Sequence, residues 1–157
     1  MKTLDYIDLD GKRVENVIVE LKQLLADFQV FYTNLRGFHW NIKGRGFFIL
    51  HAKFEGMYND VSNKIDELAE RILQLGGVAP HNFSDYLKVS KIKETGLVDK
   101  GDDAIANIMD SYKHFITSER LVIDKASAAG DEVTVALMSD YLKEQEKMMW
   151  MLVAYNS

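Results

Sequence analysis

The chain carries four histidines, His39, His51, His81 and His114, and no cysteine, so any metal it binds must be held by imidazole, carboxylate or water. Two of the histidines stand in company that suggests such chemistry. His51, Glu55, Ser62, Asp66 and Glu70 follow one another at helical spacings. They form a polar stripe about 100° round a helix from Leu50, Phe54, Val61 and Ile65, at the border of the apolar face. Asp66 and Glu70 are one turn apart, so their carboxylates point the same way. On spacing alone the simpler reading is a solvated acidic face, with Asp66 and Glu67 serving Lys64 or Arg71.

Distance along the helix restricts the alternative. His51 and Asp66 lie about 22 Å apart on one helix axis and cannot share a metal within one chain. His39 precedes a short turn and His51 follows it, so the two imidazoles can approach each other. Histidines then gather at one end of a helical hairpin and carboxylates at the other. Two hairpins paired antiparallel about a twofold axis would bring His39 and His51 of one chain to Asp66 and Glu70 of its partner, making two identical sites from one contact. A di-iron centre inside one bundle commonly draws on Glu-x-x-His motifs from two helices. None of the four histidines has a glutamate three residues before it.

The elements that must position these residues are helices. Val14, Val17, Leu21, Leu24, Phe28 and Leu35 mark a first helix over about 11–38, with Asp10 as its N-cap. Gly37, Gly44 and Gly46 punctuate a turn, and a second helix follows over about 47–74, stopped by Gly76, Gly77 and Pro80. A connector of 26 residues, 76–101, has room for a short helix near 85–90 capped by Ser84. Asp102 is placed to cap a third long helix, Gly130 to stop it, and Asp131 to cap the fourth. Short, long, short connections predict an all-α, ferritin-like four-helix bundle whose long connector, with its short helix, lies between the second and third helices. The whole of 1–157 reads as one domain. Glu119, near the apolar face of the third helix, is expected to make a buried hydrogen bond.

Composition sets outer bounds. With 47% hydrophobic and 27% charged residues the chain is of globular type. No apolar run approaches the roughly 18 residues of a membrane helix, and no signal-peptide pattern opens the sequence, so a cytoplasmic location is expected. The net charge of −5 suits a handler of cations better than a generic nucleic-acid binder.

Taken together, the motifs resemble a known family. The run His39-Trp40-Asn41-Ile42-Lys43-Gly44-Arg45-Gly46-Phe47-Phe48-Ile49-Leu50-His51, then Phe54, Glu55 and Tyr58, then Asp66-Glu67-Leu68-Ala69-Glu70-Arg71, resembles the Dps signature, and Lys147 to Leu152 resembles that family's last helix. Dps proteins are starvation-induced mini-ferritins. The resemblance implies a dodecameric cage with ferroxidase sites at twofold interfaces. His39 and His51 would be iron ligands from one subunit, Asp66 and Glu70 from its neighbour, with Glu55 as a further ligand or a support to one. Imidazole and carboxylate suit Fe(II) and can keep holding it as Fe(III). Hydrogen peroxide is the expected oxidant, dioxygen the alternative, and ferric mineral would collect in the cavity. Trp40 is a candidate trap for stray oxidising equivalents, and Asp131 and Asp140 are candidates for acidic pores on the threefold axes. Some Dps proteins bind DNA through lysine-rich tails. Here Met1 to Asp10 holds one lysine against three aspartates, and the C-terminus follows soon after the last helix, so DNA binding is not expected. DNA compaction by a route that needs no tail, and a cage with a vestigial metal site, are the alternatives.

Overall fold

Each long helix begins and ends where its backbone groups find partners. The computed structural model describes residues 2–157, and among them six helices and no strand occur: α1 (Leu4–Ile7), α2 (Gly11–Asn41), α3 (Phe47–Gln74), α4 (Phe83–Val89), α5 (Gly101–Ala129) and α6 (Glu132–Tyr155). The Asp10 side chain accepts from the Lys12 N–H at 2.8 Å and opens α2. The helix runs on through Gly37 to Asn41, three residues past the expected end at 38. Gly130 adopts φ +74° and closes α5, and Asp131 caps α6 by accepting from the Thr134 N–H at 3.0 Å.

Other boundaries differ from expectation. α4 starts at Phe83 with Asn82 at its cap, so Ser84 lies inside the first turn rather than before it. α5 starts at Gly101, with Lys100 extended at the cap position. Asp102 therefore sits in the first turn, where its charge favours the positive end of the helix dipole instead of capping it. The four-residue α1 is too short to show a hydrophobic period.

α2 packs on α3 and on α5, and α5 packs on α6. Apolar stripes meet in the middle, where Phe28 stacks on Phe115 with ring centroids 4.2 Å apart. Burial of each such side chain contributes roughly 1.5–3 kcal/mol. The connector crosses the length of the bundle as expected. It leaves the far end of α3 and returns to the α2–α3 turn, where the Lys43 N–H donates to the Asp99 carbonyl at 2.9 Å. Midway it is pinned by one buried carboxylate. Asp27 of α2 accepts from the Ser90 hydroxyl at 3.0 Å and the Lys91 N–H at 2.6 Å, and pairs with His114 of α5 at 2.8 Å.

The far end of α3 is tied to the start of α6. Arg71, buried, donates to Asp131 at 2.6 Å and to the Thr134 hydroxyl at 2.9 Å. Nearer the middle, Lys64 bridges Asp60 at 2.7 Å and Glu144 at 2.6 Å. These pairings matter for the site, because they take up the two cations that could have neutralised its carboxylates.

Candidate metal centre

The first ingredient of the site is a helix end with a carbonyl to spare. The His39 carbonyl lies in the last turn of α2, where intrahelical donors run out. Its natural partner four residues on, the Lys43 N–H, is directed to Asp99 instead. The imidazole of His51, in the second turn of α3, fills the gap: its Nδ1 lies 2.8 Å from the His39 carbonyl. The arrangement is reciprocal, with His39 Nδ1 2.8 Å from the His51 carbonyl.

A carbonyl oxygen only accepts, so both Nδ1 atoms carry a proton, and in the neutral imidazole that leaves the Nε2 atom with its lone pair for a metal. The two rings stack face to face at 3.8 Å, Phe47 stacks on His51 at 5.0 Å, and the edge of Tyr58 meets His39 at 5.3 Å. His39 is buried in the subunit and His51 half-buried. Tautomer and ring orientation are thus set by neighbours before any metal arrives, which is how metal-binding imidazoles are usually prepared.

The carboxylates stand elsewhere. α3 is continuous from Phe47 to Gln74, so Asp66 is about 22 Å from His51 along the axis. Asp66 and Glu70 are exposed, as is Glu55 one turn after His51, and among the described residues none of the three enters an ion pair. The solvated-face alternative had Lys64 or Arg71 as partners of Asp66 and Glu67, and both cations are engaged elsewhere, with Asp60, Glu144 and Asp131. Nor does any group of three histidine, aspartate or glutamate side chains within the described residues of one subunit come together to hold a metal. The structure brings His39 and His51 together and keeps Asp66 and Glu70 apart from them.

The remaining candidates separate clearly. Trp40 is 62% exposed, with the Arg36 guanidinium 4.5 Å above its ring. Asp131 is 1% exposed and engaged with Arg71 and Thr134, whereas Asp140 is exposed in a polar cleft with Asp60, Glu67 and Glu144. His114 belongs to the Asp27 pin, and His81 is exposed. Sequence reading did not single out Arg36, although it stands one helical turn from both Tyr32 and Trp40, the spacing that brings such side chains together.

A family model, Ferritin-like domain, matches residues 18–157. The DNA protection during starvation protein of Porphyromonas gingivalis is 49% identical over 154 residues, which covers 98% of this chain and 97% of its own. The chain belongs to the ferritin-like family, in its Dps branch. Dps structures agree in the fold. The crystal structure of the Dps protein of Vibrio cholerae O1 superposes with a TM-score of 0.93 at 47% identity, covering 95% of this chain and 94% of that one. The Dps protein of Bacillus brevis gives 0.90 at 32% identity, over 93% and 98%. The Vibrio protein is a member of a broad superfamily of ferritin-like diiron-carboxylate proteins. Iron is therefore the metal this Dps subunit is related to handling, and the donor set of imidazole and carboxylate fits it.

Proposed function

We propose that this Dps protein oxidises Fe(II) at sites shared between two subunits and stores the ferric product inside a dodecameric shell, with hydrogen peroxide as the preferred oxidant. The observation that carries the reading is the pair of clamped histidines, their Nε2 atoms turned away from the clamp, set about 22 Å along α3 from Asp66 and farther from Glu70, which have no cation of their own. A twofold contact places one subunit's histidines against its partner's carboxylates, with Glu55 beside the histidines as a further ligand or support. Ferrous iron is the substrate. Few protein ligands leave coordination positions for the oxidant. Two ferrous ions supply both electrons that peroxide takes, so no hydroxyl radical need leave the site.

Assembly is supported by apolar side chains left open on the subunit. Phe48 is 84% exposed, Ile49 75% and Trp150 65%, apolar surface that contacts between subunits would cover. Asp140, exposed in its polar cleft, is the better pore candidate. Asp131 would reach a pore only by giving up Arg71.

The test is anaerobic Fe(II) loading followed by a peroxide pulse, with ferric absorbance and particle mass read together. Fast ferric formation retained in a shell-sized particle is expected for the wild type. His39→Ala/His51→Ala is expected to slow it by about two orders of magnitude, the effect of losing positioned metal ligands. Equal rates in both proteins, or iron precipitating outside the particle, would sink the proposal.

The Porphyromonas relative is named for protecting DNA. Here protection would come from consuming ferrous iron and peroxide, not from covering the duplex. A dodecamer would carry a formal charge of about −60, twelve times the −5 of one chain, and repel phosphate. No shift of linear DNA is expected in a retardation gel at physiological salt with metals chelated. A stoichiometric shift there would overturn the point.

A further inference from the structure

Three sides of the bundle are closed by helices that pack directly, α2 on α3, α2 on α5 and α5 on α6. The fourth side, where α3 faces α6, is closed only in part. Towards the end that carries Asp66 and Glu70 it is spanned by Lys64, paired with Glu144, and by Tyr141, which donates to Glu67 at 2.6 Å. Towards the α2–α3 turn it stays open, as two adjoining cavities of about 450 and 500 Å³. Ala52, Lys53, Met57, Met148 and Met151 line both, so the two form one trough. Each is of the size that small-molecule sites usually have.

Small residues keep the trough open. Gly56 stands in the middle of α3, a position where only proline is less favoured, and a Cβ there would meet nothing within 4 Å. The floor of the first cavity is recessed, because Phe28 and Tyr112 reach it from the far helices α2 and α5. Methionine walls can adapt to a ligand of irregular shape. The two cavities differ in character. The second is lined by Ile49, Leu50, Phe54, Ile105, Leu152 and Tyr155 and is apolar but for Lys53. The first adds Asp60, Lys64, Glu144 and Lys147. Three lysines against two carboxylates leave it a net charge of +1, in a chain whose total is −5. Lys64 is occupied by both carboxylates, whereas Lys53 and Lys147 enter no ion pair among the described residues. Tyr112 is buried, yet its hydroxyl bonds to no other group among the described residues. Burial holds that phenol above its ordinary value of 10, so it keeps its proton to donate.

We propose that this trough binds a free single-chain carboxylate of the fatty-acid type. Its head lies in the first cavity, at Lys147 and the Tyr112 hydroxyl, and its chain runs past Met57 and Met151 into the second. Charge and shape agree on this occupant. An anion meets two lysines that lack a partner, a phenol supplies a hydrogen bond to it, and the apolar cavity takes the chain out of water. A bilayer surface fits poorly, since the apolar floor lies behind two helices instead of on a convex face. The site is separate from His39, His51, Asp66 and Glu70, none of which lines it, and it stands independently of iron oxidation.

The experiment uses the assembled, iron-free protein, stripped of lipid and titrated with dodecanoate, 1-dodecanol or phospholipid vesicles. Calorimetry gives the affinity and native mass spectrometry the number bound per subunit. Dodecanoate should saturate at one per subunit and move the methyl resonances of Met57 and Met151 but not that of buried Met138. Dodecanol, which lacks the charge, should bind about tenfold more weakly. Gly56→Leu fills the trough and replaces a poor helix former, so its thermal midpoint should be kept or raised while dodecanoate affinity falls at least about tenfold. Lys147→Glu should weaken dodecanoate by about tenfold and leave dodecanol unchanged. No saturable binding to the shell, as when a second copy of the chain covers the trough, would overturn the assignment. So would dodecanoate affinity unchanged in Gly56→Leu, alcohol bound as tightly as acid, or vesicles bound in preference to either.

Discussion

Mixed shells built from two inactive variants are expected to regain about a quarter of the wild-type rate of iron oxidation. One variant, His39→Ala/His51→Ala, lacks the imidazoles, and the other, Asp66→Asn/Glu70→Gln, lacks the carboxylates. Each alone leaves every shared site incomplete and should be nearly inactive. Where the two meet across a twofold contact, one of the two sites loses all four residues and the other has all four intact. Random co-assembly in equal amounts makes half of the contacts mixed, and half the sites in each mixed contact whole. If histidines and carboxylates acted within one subunit, mixing would give only the average of two inactive proteins. The measurement is the initial rate of ferric absorbance after a peroxide pulse, on shells dissociated together and reassembled. A rate no higher than that of the separate variants would reject sharing, whatever the variants do singly.

The second large effect concerns the bundle core. Glu119 is fully buried, and burial pushes its carboxyl up from the ordinary value of 4.5 to about 8. Gln145 donates to Glu119 Oε1 at 2.6 Å, while Glu119 Oε2 and Gln145 Oε1 are left with no partner. Both of these atoms are acceptors. A proton on Oε2 makes it a donor, and acid and amide can then satisfy one another. The buried hydrogen bond expected from the sequence is present, but it is one that wants a neutral carboxyl.

The pH dependence follows from proton counting. Between pH 4.5 and about 8 the unfolded chain has lost this proton and the folded chain still holds it, so stability falls as pH rises through that window. Glu119→Gln keeps the shape, supplies a permanent donor for Gln145 Oε1 and cannot ionise. Its stability relative to wild type should therefore increase from pH 5 to pH 8, by an amount on the order of a few kcal/mol, and level off above. Thermal midpoints of the two assemblies across that range make the comparison. A difference that stays constant with pH would refute the protonated pair. Glu119→Ala, in contrast, should lose stability at every pH, since it leaves the Gln145 amide unpaired in a dry core.

Much of the architecture was legible because helical periodicity is a local property. The stripes from Val14 to Leu35 and from Leu50 to Ile72 set two helices, and α3 occupies the expected 47–74. Asp10 and Asp131 cap their helices because a short side-chain oxygen at that position reaches the free N–H groups one turn on. The lengths of the connections carried the topology, since a 26-residue link can cross a bundle and a five-residue turn cannot. The same arithmetic separates His51 from Asp66, which is why a site that uses both is proposed to lie between two subunits.

Tertiary structure decided what depends on partners distant in sequence. Asp27 could not be seen as the pin of the connector, because Ser90, Lys91 and His114 reach it from more than sixty residues away. Asp131, read from the sequence as a helix cap and a pore candidate, is buried with Arg71 folded onto it from α3. That pairing, with that of Lys64, also leaves Asp66 and Glu70 without a cation, which spacing alone could not foretell. The hydrogen bonds that prime His39 and His51 join residues across the α2–α3 turn, and one of them uses the helix-end carbonyl that the Lys43 N–H leaves by turning to Asp99. Local sequence determined which side chains share a helix face. Which of them stay available for chemistry was decided by the competition of buried polar groups for a limited set of partners, and that competition is settled only when the chain is folded.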